Sequence, residues 1–129
     1  FKTELVQAVP NDREVIRKIL AKIADAQMAD LILTIGGIGC REEDCVPEAT
    51  KAVVDKEIPG IGESMRLFMT RTRKRAMLTR GTAGIRGKSL IVNLPGSPKA
   101  VRESLDYIID ALGHGIEILT GEAGNCARK

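Results

Sequence analysis

The sequence predicts a single α/β domain over residues 1–129, built as a three-layer α/β/α sandwich with a mostly parallel sheet. Its 129 residues fit one domain. The hydrophobic fraction of 43% suffices for a core, and because only three residues are aromatic, that core must be aliphatic. Strand-like and helix-like segments alternate along most of the chain, which is typical of helices covering both faces of a parallel sheet.

The first third of the chain contains two predicted strands and one predicted helix. Residues 1–9 have strand character, which a following proline ends. Residues 12–24 place their apolar side chains at helical spacing, and Asn11 or Asp12 can cap the first amides. Residues 31–35 form a short apolar run, which suits a parallel strand buried on both faces.

Two helices are predicted in the middle of the chain. Residues 36–45 are interpreted as a loop, and the helix predicted over residues 47–57 begins with a proline, which suits the first helical position. The Pro-Gly pair at residues 59–60 ends this helix. A second short helix is predicted over residues 61–70.

The last third of the chain contains two predicted strands and a long helix. Residues 75–79 and 89–94 are the strands, separated by a glycine-rich segment. Ser97 is suited to cap the long helix, with Pro98 at its first position. Residues 121–129 are interpreted as a loose tail.

Charge and cysteine content limit the classes of partner. The net charge is +3, which favours an anionic small molecule and not nucleic acid. The basic run at residues 71–75 has no interleaved aromatic residues for base stacking, so we interpret it as a solvated connection. Cys40, Cys45 and Cys126 form no C-x-x-C pair, which indicates free thiols in a reducing compartment. With no apolar run of membrane-spanning length, we expect a cytoplasmic protein without a membrane partner.

Residues 34–39 form a glycine-rich loop after the strand predicted at residues 31–35. Glycines allow the backbone to approach a phosphate, and successive amides can point at the anion. The spacing matches neither the dinucleotide-binding nor the Walker pattern. The alternative interpretation is a tight strand-to-helix turn.

Residues 93–98 form a second loop of this kind. They leave an apolar strand, turn at Pro-Gly and begin a helix, whose N-terminal amides and dipole favour anions. The alternative is a plain capped turn. In open α/β sheets ligands bind beyond the carboxyl ends of strands, so the two loops together predict one shared anion site.

Acidic side chains lie between these loops in sequence. Glu42, Glu43 and Asp44 are followed by Glu48, and carboxylates beside phosphates are ligands that Mg²⁺ prefers. The alternative is a solvated acidic loop that favours the N-terminus of the next helix.

Two runs of sequence resemble the molybdenum-cofactor biosynthesis family. They are LILTIGGIGCREEDCVPEATKAVVDKEIPGIGESMR at residues 31–66 and AMLTRGTAGIRGKSLIVNLPGSPKAVRESL at residues 76–105. The family includes molybdopterin adenylyltransferase, a gephyrin domain and competence-damage-related proteins. The resemblance implies a molybdopterin-binding-domain-like fold, a homotrimer or larger homo-oligomer, and transfer of AMP from ATP to the terminal phosphate of molybdopterin, with Mg²⁺ as cofactor and release of pyrophosphate.

The resemblance also implies roles for individual residues. Asp44, which would hold Mg²⁺, and Asp12 are the expected catalytic residues. The nucleotide and its phosphates would bind at Thr34, Gly36, Gly37, Gly39 and Glu48. Molybdopterin would bind at Thr79, Arg80, Thr82, Asn93, Pro95, Gly96 and Ser97.

The sequence departs from the family pattern at four positions. Ile35 and Ile38 replace two threonines, Glu43 replaces an arginine, and Asn11 occupies an acidic position beside Asp12. These changes favour a second hypothesis, a relative that binds molybdopterin without turnover; a third is a competence-damage-like nucleotide pyrophosphatase. The family also has a further strand and helix before the equivalent of residue 1, so we expect the sequence to lack them and to leave an apolar sheet edge.

Overall fold

The computed structural model describes residues 1–122, which contain four helices and four strands. The helices are α1 (Arg13–Asp25), α2 (Val46–Val53), α3 (Pro59–Met69) and α4 (Pro98–Thr120). The strands are β1 (Leu31–Ile35), β2 (Lys56–Glu57), β3 (Ala83–Arg86) and β4 (Ser89–Leu94), and a short 3₁₀ helix spans Lys74–Leu78. The predicted tail at residues 123–129 lies outside the described residues and stays a prediction.

The four strands form one mixed sheet in the order β1-β4-β3-β2. β1 pairs with β4 in parallel, whereas β3 is antiparallel to both β4 and β2. The predicted α/β class is confirmed, but the expectation of a mostly parallel sheet is wrong for the described residues. The reason is a tight hairpin between β3 and β4, in which Gly87 takes a φ of 58° that glycine adopts without strain.

Helices cover both faces of this sheet. Ile91 of β4 packs with residues of α1 and α2, while Leu90, Val92 and Leu94 pack with α3 and α4 on the other face. Every residue of β4 is buried, so β4 is the strand that is covered on both faces. The same expectation for β1 is wrong, because β1 lies at the edge of the described sheet and only Ile32 is buried.

Three predicted elements differ from the structure. Residues 1–9 are exposed and form no strand, because no neighbouring strand pairs with them in residues 1–122. Residues 75–79, predicted as a strand, lie mainly in the 3₁₀ helix, outside the sheet. The helix predicted to reach residue 57 ends at Val53, because Lys56 and Glu57 pair with β3 instead.

The predicted helix caps are confirmed. Asp12 Oδ1 accepts from the amides of Glu14 and Val15 at 3.0 and 3.1 Å and begins α1. Ser97 Oγ accepts from the Ala100 amide at 3.2 Å and begins α4. None of the helices within residues 1–122 combines the length and the apolarity needed to cross a membrane.

Candidate functional site

The two predicted loops meet at one edge of the sheet. We call residues 36–39 the glycine loop and residues 93–98 the proline loop. The parallel register aligns Thr34 with Asn93, so both strands end at the same edge. The Gly36 amide donates to the Leu94 carbonyl at 3.0 Å, and a Cβ added at Gly96 would lie only 3.5 Å from the Gly36 Cα. The prediction that the two loops share one edge is confirmed.

Gly36 and Gly37 give the glycine loop its shape. Their φ values are 88° and 70°, in the left-handed region that favours glycine. A Cβ added at Gly37 would also lie 2.5 Å from a Val46 methyl group, so α2 packs directly under the loop. The Asn11 amide oxygen lies near the same position, at 3.8 Å. Asn11, and not the helix-capping Asp12, therefore faces this loop.

The acidic loop, residues 41–45, folds back onto the end of the glycine loop. Asp44 Oδ2 accepts from the Arg41 amide at 3.0 Å, and the Asp44 amide donates to the Arg41 carbonyl at 3.0 Å. A Cβ added at Gly39 would lie 2.7 Å from Asp44 Oδ2. The predicted catalytic carboxylate is thus beside the glycine loop, where only a glycine leaves space for it.

Arg80 connects these segments. Its guanidinium donates to the Gly39 carbonyl at 2.7 Å, to the Asp44 carbonyl at 2.7 Å and to Glu48 Oε2 at 2.6 Å. The hydrogen bond from Arg80 holds the pKa of the Glu48 carboxyl below its ordinary value, although partial burial acts in the opposite direction. The same bond raises the pKa of Arg80. Arg80, predicted as a pterin ligand, and Glu48, predicted as a nucleotide ligand, form one ion pair.

Asn93 lies below both loops with its side chain fully buried. Its Nδ2 donates to the hydroxyls of Thr34 and Thr50, each at 2.9 Å, and its Oδ1 accepts from the Thr82 amide at 3.1 Å. The amide therefore ties β1, α2 and the segment before β3 to β4. Thr50 was missed by sequence reasoning, because a threonine within a helix gives no local signal of a buried partner.

A cavity of about 260 Å³ opens beside the proline loop. Four predicted pterin ligands and residues of the basic run, among others, line it: Thr79, Pro95, Gly96, Ser97, Arg73 and Arg75. Sequence reasoning interpreted the basic run as a solvated connection, and its charge gave no indication of this cavity. Arg73 is paired with Glu103 at 3.5 Å, while Arg75 is exposed. The cavity combines cationic side chains with the N-terminus of α4, which suits an anionic group.

Comparison with known proteins identifies the family. Residues 1–114 match the model described as "Probable molybdopterin binding domain". The molybdopterin adenylyltransferase of Helicobacter pylori strain J99 is 43% identical over 115 residues, 89% of this chain and 65% of that protein. The Escherichia coli K12 protein of the same name is 40% identical, over 84% of this chain and 57% of that protein. The chain thus spans less than two thirds of the length of these curated relatives.

The fold comparison agrees. The crystal structure of the molybdopterin biosynthesis enzyme MoaB from Thermus thermophilus matches with a TM-score of 0.79 and 47% identity, covering 86% of this chain and 70% of that one. The chain therefore belongs to the molybdopterin-binding domain family, with which it shares an α/β fold of a mixed sheet and flanking helices.

Proposed function

We propose that this chain binds molybdopterin and transfers AMP from ATP to its terminal phosphate in molybdenum-cofactor biosynthesis. The observation that carries the proposal is the contact between the glycine loop and the proline loop, in which the Gly36 amide donates to the Leu94 carbonyl at 3.0 Å. Asp44 lies beside Gly39 of the first loop, and the 260 Å³ cavity opens beside Gly96 of the second. Relatives 40–43% identical to this chain are named for this activity.

In the proposed reaction a phosphate oxygen of molybdopterin attacks the α-phosphorus of ATP. A new P–O bond forms at that phosphorus, the bond between the α-phosphorus and the bridging oxygen breaks, and pyrophosphate leaves with that oxygen. Both reactants are anions, so the chain's work is to hold them in line and to offset their charge. We assign ATP to the glycine loop with Thr34, and molybdopterin to the cavity beside Thr79, Pro95, Gly96 and Ser97.

The donor set fits Mg²⁺ only as an ion carried by the nucleotide. Within residues 1–122 no three carboxylate, thiol or imidazole groups are grouped so as to hold a metal. Asp44 offers one carboxylate, and Mg²⁺ is commonly bound by one or two carboxylates together with substrate phosphates and water. When bound, Mg²⁺ would neutralise phosphate charge, and Asp44 would position it.

One observation favours a second function, binding without turnover. Ile35 lies at the end of β1 and is 63% exposed, so an apolar group occupies a position where a hydroxyl could face a ligand. Ile38 is buried in the cluster between the sheet and helices α1 and α2. Neither side chain offers a hydrogen-bond donor to a phosphate.

A pyrophosphate-release assay separates the two functions. Wild-type protein with ATP, Mg²⁺ and molybdopterin is expected to release pyrophosphate, and Asp44→Asn to release far less. Molybdopterin binding by calorimetry without release would instead establish the binding protein. Hydrolysis of ADP-ribose under the same conditions would identify a nucleotide pyrophosphatase and reject both.

A homotrimeric or larger assembly and a cytoplasmic location belong to the same proposal, and both rest on the family resemblance. Light scattering coupled to size-exclusion chromatography measures the assembly: a mass near three chains is expected, and a mass of one chain, 13.9 kDa for this sequence, would contradict it.

A further inference from the structure

All three nitrogens of the Arg80 guanidinium donate hydrogen bonds to other groups of the protein. An arginine carries five N–H donors. Its Nε donates to the Gly39 carbonyl, one Nη to Glu48 Oε2, and the other Nη both to the Asp44 carbonyl and, at 3.3 Å, to Glu48 Oε1. These four hydrogen bonds use most of the N–H donors of the guanidinium, the planar fork of Arg80, so few remain for a ligand. Glu48 also neutralises its charge.

We infer that Arg80 is a positioning residue, which holds the acidic loop against the glycine loop so that Asp44 faces the nucleotide site. This inference rests on the proposed adenylyl transfer and replaces the expectation that Arg80 binds molybdopterin directly. The backbone supports it, because the Arg80 amide donates to the Ile38 carbonyl at 2.8 Å. Arg80 thus bonds to the glycine loop twice and to the acidic loop once.

The position of Asp44 depends on these bonds. The Asp44 carboxylate lies against Gly39, and both residues present their backbone carbonyls to the same guanidinium. Loss of the fork would free the acidic loop to move away from Gly39. A lysine at position 80 would keep the charge, but its three donors lie on one nitrogen and do not reproduce the planar guanidinium that reaches two carbonyls and a carboxylate.

Stability alone does not account for the arrangement. The side chains of Arg80 and Glu48 are 37% and 38% exposed, and ion pairs at this exposure contribute little to folding because solvent screens them. The distinctive feature of the pair is that its arginine also bonds to the glycine loop and to the acidic loop and so holds them together.

Arg86 provides a matched control at the other end of the sheet. Its fork donates to both carboxylate oxygens of Asp25, at 2.8 and 3.0 Å, and to the Val53 carbonyl at 2.7 Å. Arg86 ends β3 and pairs with the first residue of β4, whereas the candidate site lies beyond the last residue of β4. Arg86→Lys therefore removes a similar fork without touching the site.

The test compares Arg80→Lys, Glu48→Gln and Arg86→Lys by steady-state pyrophosphate release, molybdopterin calorimetry and hydrogen exchange of residues 39–45. In Arg80→Lys we expect kcat to fall about 10- to 100-fold, as for residues that orient a catalytic group. Its molybdopterin Kd should stay within about threefold of wild type, which is less than 1 kcal/mol, and the amides of residues 39–45 should exchange faster. Arg86→Lys should keep both the kcat and that exchange pattern.

Glu48→Gln gives a second variant that retains a hydrogen-bond acceptor. It should produce the same changes as Arg80→Lys with smaller size, and the double variant should be no worse than Arg80→Lys alone, because both act through one network. A molybdopterin Kd weakened tenfold or more in Arg80→Lys, with unchanged exchange at residues 39–45, would make Arg80 a direct ligand and overturn the inference.

The experiment also distinguishes failure of the proposed function from failure of the inference about Arg80. If wild-type protein releases no pyrophosphate, adenylyl transfer is rejected, and hydrogen exchange alone decides the role of Arg80. Faster exchange of residues 39–45 in Arg80→Lys but not in Arg86→Lys supports positioning, and equal exchange in both variants rejects it.

Discussion

Asn93 is expected to be a major contributor to stability despite its place beside a functional loop. Its side chain is 0% exposed and makes three hydrogen bonds, to Thr34, Thr50 and the Thr82 amide. Replacement by alanine removes all three. At about 0.5–1.5 kcal/mol for each bond, and with the buried Thr82 amide left unpaired, we expect a loss of about 3 kcal/mol.

That loss is large for a domain of this size, whose total free energy of unfolding is about 5–15 kcal/mol. It should lower the melting temperature by about 10 °C. Urea denaturation followed by circular dichroism measures the free energy, with protein concentration held fixed in case the chain associates. Thr50→Val should cost about 1–2 kcal/mol, because it leaves one hydrogen of the Asn93 amide without an acceptor.

Ser104→Ala is the matched control. Ser104 is as deeply buried as Asn93, but within residues 1–122 its hydroxyl donates only to the Met69 sulfur at 3.2 Å, a weak acceptor. Its removal should cost about 0.5 kcal/mol or less. A loss in Asn93→Ala no greater than in Ser104→Ala would refute the view that the buried amide binds the strands and α2 together.

Three further predictions concern the site and the helices. Gly39→Ala should lower kcat about 100-fold, because the added Cβ would lie 2.7 Å from Asp44 Oδ2 and displace it; unchanged kcat would reject this placement. Gly115→Ala within α4 should raise the free energy of unfolding by about 0.4–1 kcal/mol, measured by urea denaturation, because within residues 1–122 the added Cβ would have no atom within 4 Å beyond its chain neighbours and the helix's own backbone. The hydrogen bond from Arg80 lowers the pKa of Glu48 in the folded protein. The ion pair therefore contributes fully to stability above pH 4.5, the ordinary pKa of the carboxyl, and this contribution is lost as the pH falls through the pKa of the folded protein. The difference in unfolding free energy between wild type and Glu48→Gln should therefore shrink below about pH 4.5, and a difference that grows there would contradict the ion pair.

The shared sheet edge could be predicted because strand direction follows from chain order. Residues 31–35 and 89–94 carry strong apolar signals, and each is followed at once by a turn. β3 gave no such signal, since its residues Ala83–Arg86 include an alanine and a glycine and lie between two turns. The pairing of β3 is fixed by the hairpin at Gly87 and by packing against other elements, and neither can be predicted from local strand propensity.

The role of Arg80 could not be predicted from its sequence neighbours. Its three partners lie 32 to 41 residues away along the chain, on the glycine loop, the acidic loop and α2, which only the fold brings beside Arg80. Asn93 is a similar case. The family resemblance implies that both bind molybdopterin, and the structure shows that each bonds chiefly to the protein.

The two isoleucines of the glycine loop segment have different physical meanings. Ile38 is 6% exposed and packs in the core cluster with residues of α1 and α2, so its apolar side chain anchors the loop to the helix layer. A threonine there would lose buried methyl contacts while its hydroxyl faced the core. Ile35 is 63% exposed and is not part of this core cluster. Of the two departures from the family pattern, only Ile35 therefore represents a hydroxyl that a ligand would miss, which makes the loss of phosphate donors smaller than the sequence alone indicates.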